Sequence, residues 1–167
     1  MSDVIGTDRV YFRQLLAGRD FATGDFLAQQ MVNFVYLIGY RETREAFLVD
    51  PAYGVRELVD LAAADGFRIT GVLATHYHAD HCGGSIIGHH IEGLRDLLEL
   101  DGFSSKIHVQ RDEAEWVNRT TGVSETDLAQ GGHNPTWTGA AWSNAFDAVS
   151  GNFIPATTTT PSRMCGR

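Results

Sequence analysis

Thr75-His76-Tyr77-His78-Ala79-Asp80-His81 is the stretch whose reading decides what this chain is. Three histidines and one aspartate fall within six consecutive positions, His76 to His81. Neutral imidazole nitrogen and carboxylate oxygen are ligands for divalent metals such as Zn²⁺, Fe²⁺ and Mn²⁺. The run follows Ile69-Thr-Gly-Val-Leu-Ala74, an apolar stretch that reads as a buried strand, and precedes Gly83-Gly84, which favours a loop. The ligands therefore sit where a strand ends and a loop begins, on rigid support beside open space. A surface cluster of histidines without function is the bland alternative.

The spacing has mechanical content. His76 and His78 are two positions apart, so an extended backbone projects both to one side and both can reach one metal. Asp80 and His81 lie past the strand end, where the chain can turn back. They can complete that site or hold a second metal close by. Two cations about 3.5–4 Å apart are a known hydrolytic arrangement.

Thr-His-x-His-x-Asp-His resembles the signature of the metallo-β-lactamase fold superfamily, and more of the chain agrees. Asn33–Gly39 followed by Ala46–Pro51 is similar to that family's opening β-hairpin and Val-Asp-Pro turn. A helix over Val55–Asp65, a strand over Ile69–Ala74, the motif, a strand at Lys106–Val109 and a helix around Arg111–Trp116 keep the family's order. The nearest subgroup is the glyoxalase II-like, or hydroxyacylglutathione hydrolase-like, proteins. The resemblance implies an α/β fold, an αββα sandwich, present here in incomplete form. It implies that His76 and His78 bind a first metal and that Asp80 and His81 bind a second. Asp80 would also orient the attacking water, which makes it the catalytic candidate. Zinc, as one or two ions, is the expected cofactor, with iron or manganese as alternatives. The implied reaction is attack of metal-bound hydroxide on a thioester or related carbonyl of a small-molecule substrate. Two rival readings stand beside it: a mononuclear iron enzyme of the persulfide dioxygenase kind, and a non-catalytic metal-binding remnant. Asp50 matches a family position that supports the site from behind the ligands, and it is equally explained as a turn residue before Pro51.

The chain departs from the family further along. His133, in Gln130-Gly-Gly-His-Asn-Pro135, lies at a reasonable distance beyond His81 for a further ligand, but in the wrong context. It is a metal candidate with a solvated loop histidine as its alternative. Asp147 sits in a helix-like context and reads as a surface residue. No family-like distal motif is evident. The globular part is expected over residues 8–129, followed by an atypical tail over 130–167. A sandwich missing its second half would leave a sheet face and edges uncovered, which favours self-association.

Composition narrows the classes. The formal net charge of −8 and the absence of a Lys/Arg-rich stretch argue against nucleic acid as the main partner. No apolar run approaches a membrane span, and residues 1–25 hold no secretory h-region, so a cytoplasmic location is expected. Cys82 and Cys165 are the only cysteines and make no disulfide framework. Cys82 reads as a small buried residue beside the loop rather than a metal thiol.

Along the chain, Val10–Leu16 reads as an edge strand, and Phe21–Gln30 is ambiguous between helix and strand. Strands at Val32–Ile38 and Ala46–Val49 flank a polar turn at Tyr40–Arg44. Gly66 is placed to end the Val55–Asp65 helix in a left-handed cap. Ser85–Leu100 carries apolar residues at amphipathic spacing, with Glu92–Glu99 its more helical half. Of His89 and His90, one is expected to be packed and one exposed. Glu113–Asn118 reads as a short helix.

The tail's poverty in charge has a candidate origin. One codon choice for Ile154–Thr159, read two bases on, gives Pro-Gly-His-Asn-Tyr, the family's distal metal motif. An internal deletion with a frame shift near residue 130 accounts for both features. Sequencing the coding DNA checks this: the shifted reading is expected to be open, and codons that forbid it would sink the idea.

Overall fold

A computed structural model describes residues 9–131. His133, Asp147 and nearly all of the expected tail lie outside the described residues. The described elements are strands β1 (Val10–Leu16), β2 (Phe34–Tyr40), β3 (Glu45–Val49), β4 (Arg68–Ala74), β5 (Gly84–Ile86), β6 (His89–Ile91), β7 (Lys106–Gln110) and β8 (Leu128–Gly131). Between them run helices α1 (Phe26–Met31), α2 (Val55–Ala64), α3 (Ala79–Cys82), α4 (Leu94–Leu98) and α5 (Arg111–Thr121).

Six strands form one mixed sheet in the order β1-β2-β3-β4-β7-β8. The first three run antiparallel, with Phe12 opposite Ile38 and Leu37 opposite Leu48. From β3 onward each neighbour is parallel, joined by a crossover that carries helix. Parallel crossovers are almost always right-handed. Three of them advancing in one direction must stack their helices on the same face. Accordingly α2 packs on β4, α5 on β7 and β8, and α4 on α2. Leu37, Leu48, Leu58, Val72, Leu94, Leu97, Ile107 and Val117 are fully buried between these layers. Each such side chain contributes roughly 1.5–3 kcal/mol of transfer free energy.

The other face follows from strand alternation. Phe12, Phe34, Tyr36, Ile38, Phe47 and Leu73 line it, and Phe12 is 58% and Phe34 41% exposed. Phe47 is buried there against Tyr40 and Leu73, and its ring lies 5.3 Å from that of His108. Burial holds the His108 imidazole below its ordinary range. The described residues thus supply a mixed α/β structure of one helical layer and one sheet layer, the α/β class expected from the sequence.

Most elements fall where the sequence placed them. β1 occupies Val10–Leu16 at the sheet edge, and Gly66 takes the left-handed conformation (φ 81°) beyond α2. The ambiguous Phe21–Gln30 segment contains α1, capped by Asp25, whose carboxylate accepts from Ala28 N–H at 2.9 Å. Two expectations need correction. The first half of Ser85–Leu100 is no helix but a two-stranded hairpin of β5 and β6, turning at Ile87 and Gly88, both with positive φ. Its apolar residues satisfied helical spacing by coincidence, and the Gly-rich entry and the turn glycine were the overriding signal. Of His89 and His90, neither is packed: both are exposed, and His90 pairs with Asp96 at 2.9 Å. Only Ile91 of that strand turns inward.

The far end of α2 carries a charged tether. The Asp65 carboxylate accepts from the Tyr11 hydroxyl and from Arg13 Nη1 across 2.7 Å. The Tyr11 hydrogen bond, then Arg13, holds Asp65 below its ordinary value, while burial pushes Tyr11 up to about 12. A carboxylate with a depressed folded pKa stabilises the fold above its unfolded value of about 3.9 and loses that contribution as pH falls through the folded value. The stability difference between wild type and Asp65→Asn, read from urea midpoints, is expected to be constant near neutrality and to shrink below about pH 4.

Candidate metal centre

The parallel strands fix where the motif sits. β3 ends at Val49 and β4 at Ala74, side by side and pointing the same way. Asp50 and Thr75 follow directly, so the motif emerges at the carboxyl edge of the sheet, the edge where open α/β sheets place ligands. Asp50 adopts a left-handed backbone (φ 52°), which Asp tolerates better than most residues. Its N–H donates to Leu73 O at 2.9 Å. Its carboxylate accepts from Thr75 N–H at 2.7 Å and from Thr75 Oγ1 at 2.6 Å. Backbone and side chain of one residue thus clamp the end of β4. Asp50 is buried, the one charged residue so placed among the described residues.

Past Thr75 the motif is pinned at four further points. Tyr77 N–H donates to Glu113 Oε2 of α5 at 3.2 Å. The Cys82 thiol donates to Tyr77 O at 3.1 Å. Asn33 Nδ2 donates to Asp80 O at 2.9 Å and to Asp80 Oδ2 at 2.7 Å. The single turn of α3 begins at His78, whose carbonyl accepts from His81 and Cys82 N–H. The turn leaves through Gly83, where a Cβ would stand 2.5 Å from Gly93 Cα. Only glycine allows that backbone crossing. Cys82 is fully buried, as expected, and burial pushes its thiol up to about 12.

One atom each from Asp50, His76 and His81 lies within 4.8 Å of the others. The His76 and His81 rings are 4.3 Å apart, and the His76 and His78 rings 4.7 Å. Thr75 Oγ1 lies 2.9 Å from His76 Nδ1 and helps set that ring's orientation. His81 Nδ1 stands 3.3 Å from Asp50 Oδ2 but out of line for a hydrogen bond, so it is a buried ring nitrogen without a hydrogen-bond partner. Proximity of the Asp50 carboxylate holds His81 above the ordinary imidazole range. Burial, then the neighbouring His81, holds His76 below it. Two imidazoles and one carboxylate drawn together, with a buried ring nitrogen unpaired, form a donor set that fits a divalent cation.

Among the sequence candidates, the structure draws His76 and His81 into this group and adds Asp50. His78 stands next to it through its ring contact with His76. The Asp80 carboxylate lies 3.6 Å from His81 Nε2, held by Asn33 rather than inside the tight set. Asn33 was not a sequence candidate for the site. Nothing in a lone Asn at a strand start distinguishes it from any turn residue, and only the fold brings it to Asp80.

Residues 29–87 match the family model described as the metallo-beta-lactamase superfamily. A hydroxyacylglutathione hydrolase-like protein of Mus musculus is 41% identical over 66 residues, 39% of this chain and 23% of that protein. The mitochondrial persulfide dioxygenase ETHE1 of Homo sapiens is 31% identical over 106 residues, 59% of this chain and 42% of that protein. A solved metallo-beta-lactamase from Staphylococcus aureus aligns over 75% of this chain and 30% of its own, at 23% identity and a TM-score of 0.48. The matched segment holds Asp50 and the whole histidine motif, and over it the chain is similar to the metallo-beta-lactamase superfamily. It spans less than half the length of these relatives. Among the described residues no helix is long and apolar enough to cross a membrane.

Asp50→Ala removes both the clamp on Thr75 and a donor of the cluster. Its zinc affinity, read by competition with a chromophoric chelator, is expected to fall at least about 10–100-fold, the range for loss of an orienting partner alone. An unchanged affinity would exclude Asp50 from the site.

Proposed function

We propose that this chain is a metal-dependent hydrolase acting on a thioester or related carbonyl of a small molecule. The observation that carries the reading is the convergence of Asp50, His76 and His81 at the sheet's carboxyl edge. The similarity to a hydroxyacylglutathione hydrolase-like protein, and to a hydroxyacylglutathione hydrolase at 45% identity over 53 residues, supports the substrate class. In this reading His76 and His81 are ligands, Asp50 is the third donor or their buried support, and His78 and Asp80 complete the set the motif implies. Zinc is the proposed metal; when bound, such a cation polarises a carbonyl and activates water near neutral pH. The chain's own residues do the positioning. Thr75 and Asp50 hold the imidazoles, Asn33 fixes the Asp80 carboxylate, and Asp80 is the proposed group that orients the water. His133 is a further proposed ligand.

A second reading is favoured by a specific observation: the persulfide dioxygenase match spans more of this chain than the hydrolase match. Two histidines and one carboxylate are also the donor set of mononuclear iron oxygenases. A metal-binding remnant without catalysis is the third reading. Among the described residues, the exposure of Phe12 and Phe34 on the apolar sheet face supports self-association as a further part of the proposal.

Elemental mass spectrometry on the purified chain beside a His76→Ala control separates these readings. Zinc lost in the control, with hydrolysis of an S-hydroxyacylglutathione abolished by the same substitution, is the expected result. Iron in place of zinc, with persulfide oxidation, would support the second reading. Metal content no higher than the control would end both enzyme readings.

A further inference from the structure

The ring contacts of the motif do not stop at the metal cluster. His81, His76, His78, Tyr77 and Trp116 form a row, with successive centroids 4.3, 4.7, 4.8 and 5.6 Å apart. The row begins at the partly buried His81 and ends in solvent, where Tyr77 is 36% and Trp116 45% exposed. Trp116 lies on the outer face of α5, whose inner face is Ala114 and Val117. Helix periodicity calls for a polar residue there, and neither α5 nor the sheet needs that indole for its core.

The outer two rings are held ready. Tyr77 is fixed through its backbone on both sides, by Glu113 at its N–H and by the Cys82 thiol at its carbonyl. The Arg119 guanidinium covers Trp116 at 5.0 Å from the ring centroid, and Arg119 is itself paired with Glu115. That pairing matters for what the two rings would accept. Among the described residues Arg119 is the cation on these two rings and it already has a carboxylate partner, and Glu113 adds negative charge beside Tyr77. A carboxylate or phosphate therefore gains nothing here. A flat, uncharged group gains the offset or edge contacts that aromatic faces favour.

We infer that Tyr77 and Trp116 form a subsite for an uncharged aromatic ring of the substrate, at the outer end of the ring row leading from the metal cluster. The inference rests on the proposed hydrolase reading for its placement, and it narrows the substrate to one carrying an aryl group near the reacting carbonyl. The ring contacts themselves require no metal.

The test is a ligand-observed NMR titration of the full chain with benzamide, and with acetamide as the ring-free control. Benzamide is expected to bind more tightly than acetamide. Trp116→Ala is expected to weaken benzamide about three- to tenfold, the span of one aromatic contact, and to leave acetamide unchanged. Trp116→Phe is expected to restore most of the loss, and Ile87→Ala, an exposed apolar truncation on the hairpin, to change nothing. Equal binding of the two amides, or of benzamide by wild type and Trp116→Ala, would overturn the subsite. Because the titration runs equally on metal-free protein, a failed hydrolase assay and a failed subsite give separate results.

Discussion

The double hydrogen bond from Thr75 to the Asp50 carboxylate is the contact on which the site depends. It ties the ends of two adjacent parallel strands, and it does so with one residue in a left-handed conformation. Non-glycine residues in that region cost about 1–3 kcal/mol and persist where surrounding structure over-determines them. Here the over-determination is visible. The Asp50 N–H binds Leu73 O, and both carboxylate oxygens bind Thr75. The strain is held by the same bonds that aim the histidines.

Much of the sheet was legible because its signals were local. β4 is an apolar run that ends at the motif, α2 has helical spacing with Gly66 to stop it, and β1 alternates along an edge. The Ser85–Leu100 segment failed for a physical reason. Isoleucines in a short hairpin and on a helix face can share the same spacing over a few residues, and periodicity alone does not arbitrate between them. The turn at Ile87 and Gly88 does, because both carry positive φ. The expectation that one of His89 and His90 packs fails separately. In the short strand the inward position belongs to Ile91, and both histidines stay in solvent.

The site was legible in its histidines and only half legible in its carboxylates. Ligand density in a short window needs no fold to be seen, so His76, His78 and His81 stood out at once. Asp50 is 26 positions before His76, and its sequence context allowed a plain turn before Pro51 as readily as a support for the site. Both accounts hold in the structure: Asp50 makes the turn, and the turn delivers its carboxylate to His81. Asp80 presented the reverse case. The motif put it among the ligands, whereas its observed partners are the Asn33 amide and the far side of His81. That difference is one of long-range packing, since Asn33 reaches Asp80 only after β2 has found its place in the sheet.

The charge balance around Asp50 gives the cluster its direction. A buried carboxylate has a desolvation cost of several kcal/mol unless it is paired and hydrogen-bonded. The two Thr75 bonds answer part of that cost, but both donors are neutral. The nearest group able to carry positive charge is His81, at 3.3 Å and misaligned, with its Nδ1 left unpaired. A fully paired ion pair would have closed that gap and fixed the imidazole as a proton carrier. The geometry instead leaves a negative charge and an imidazole nitrogen facing each other without a shared hydrogen bond, and His76 beside them is held toward its neutral form by burial and by His81. Metal ligation requires neutral imidazole, the form toward which His76 is held, whereas His81 beside Asp50 is held toward imidazolium and would give up its proton to a bound cation. The polypeptide has therefore stopped short of satisfying its own buried groups at the one place where its sequence concentrates metal donors.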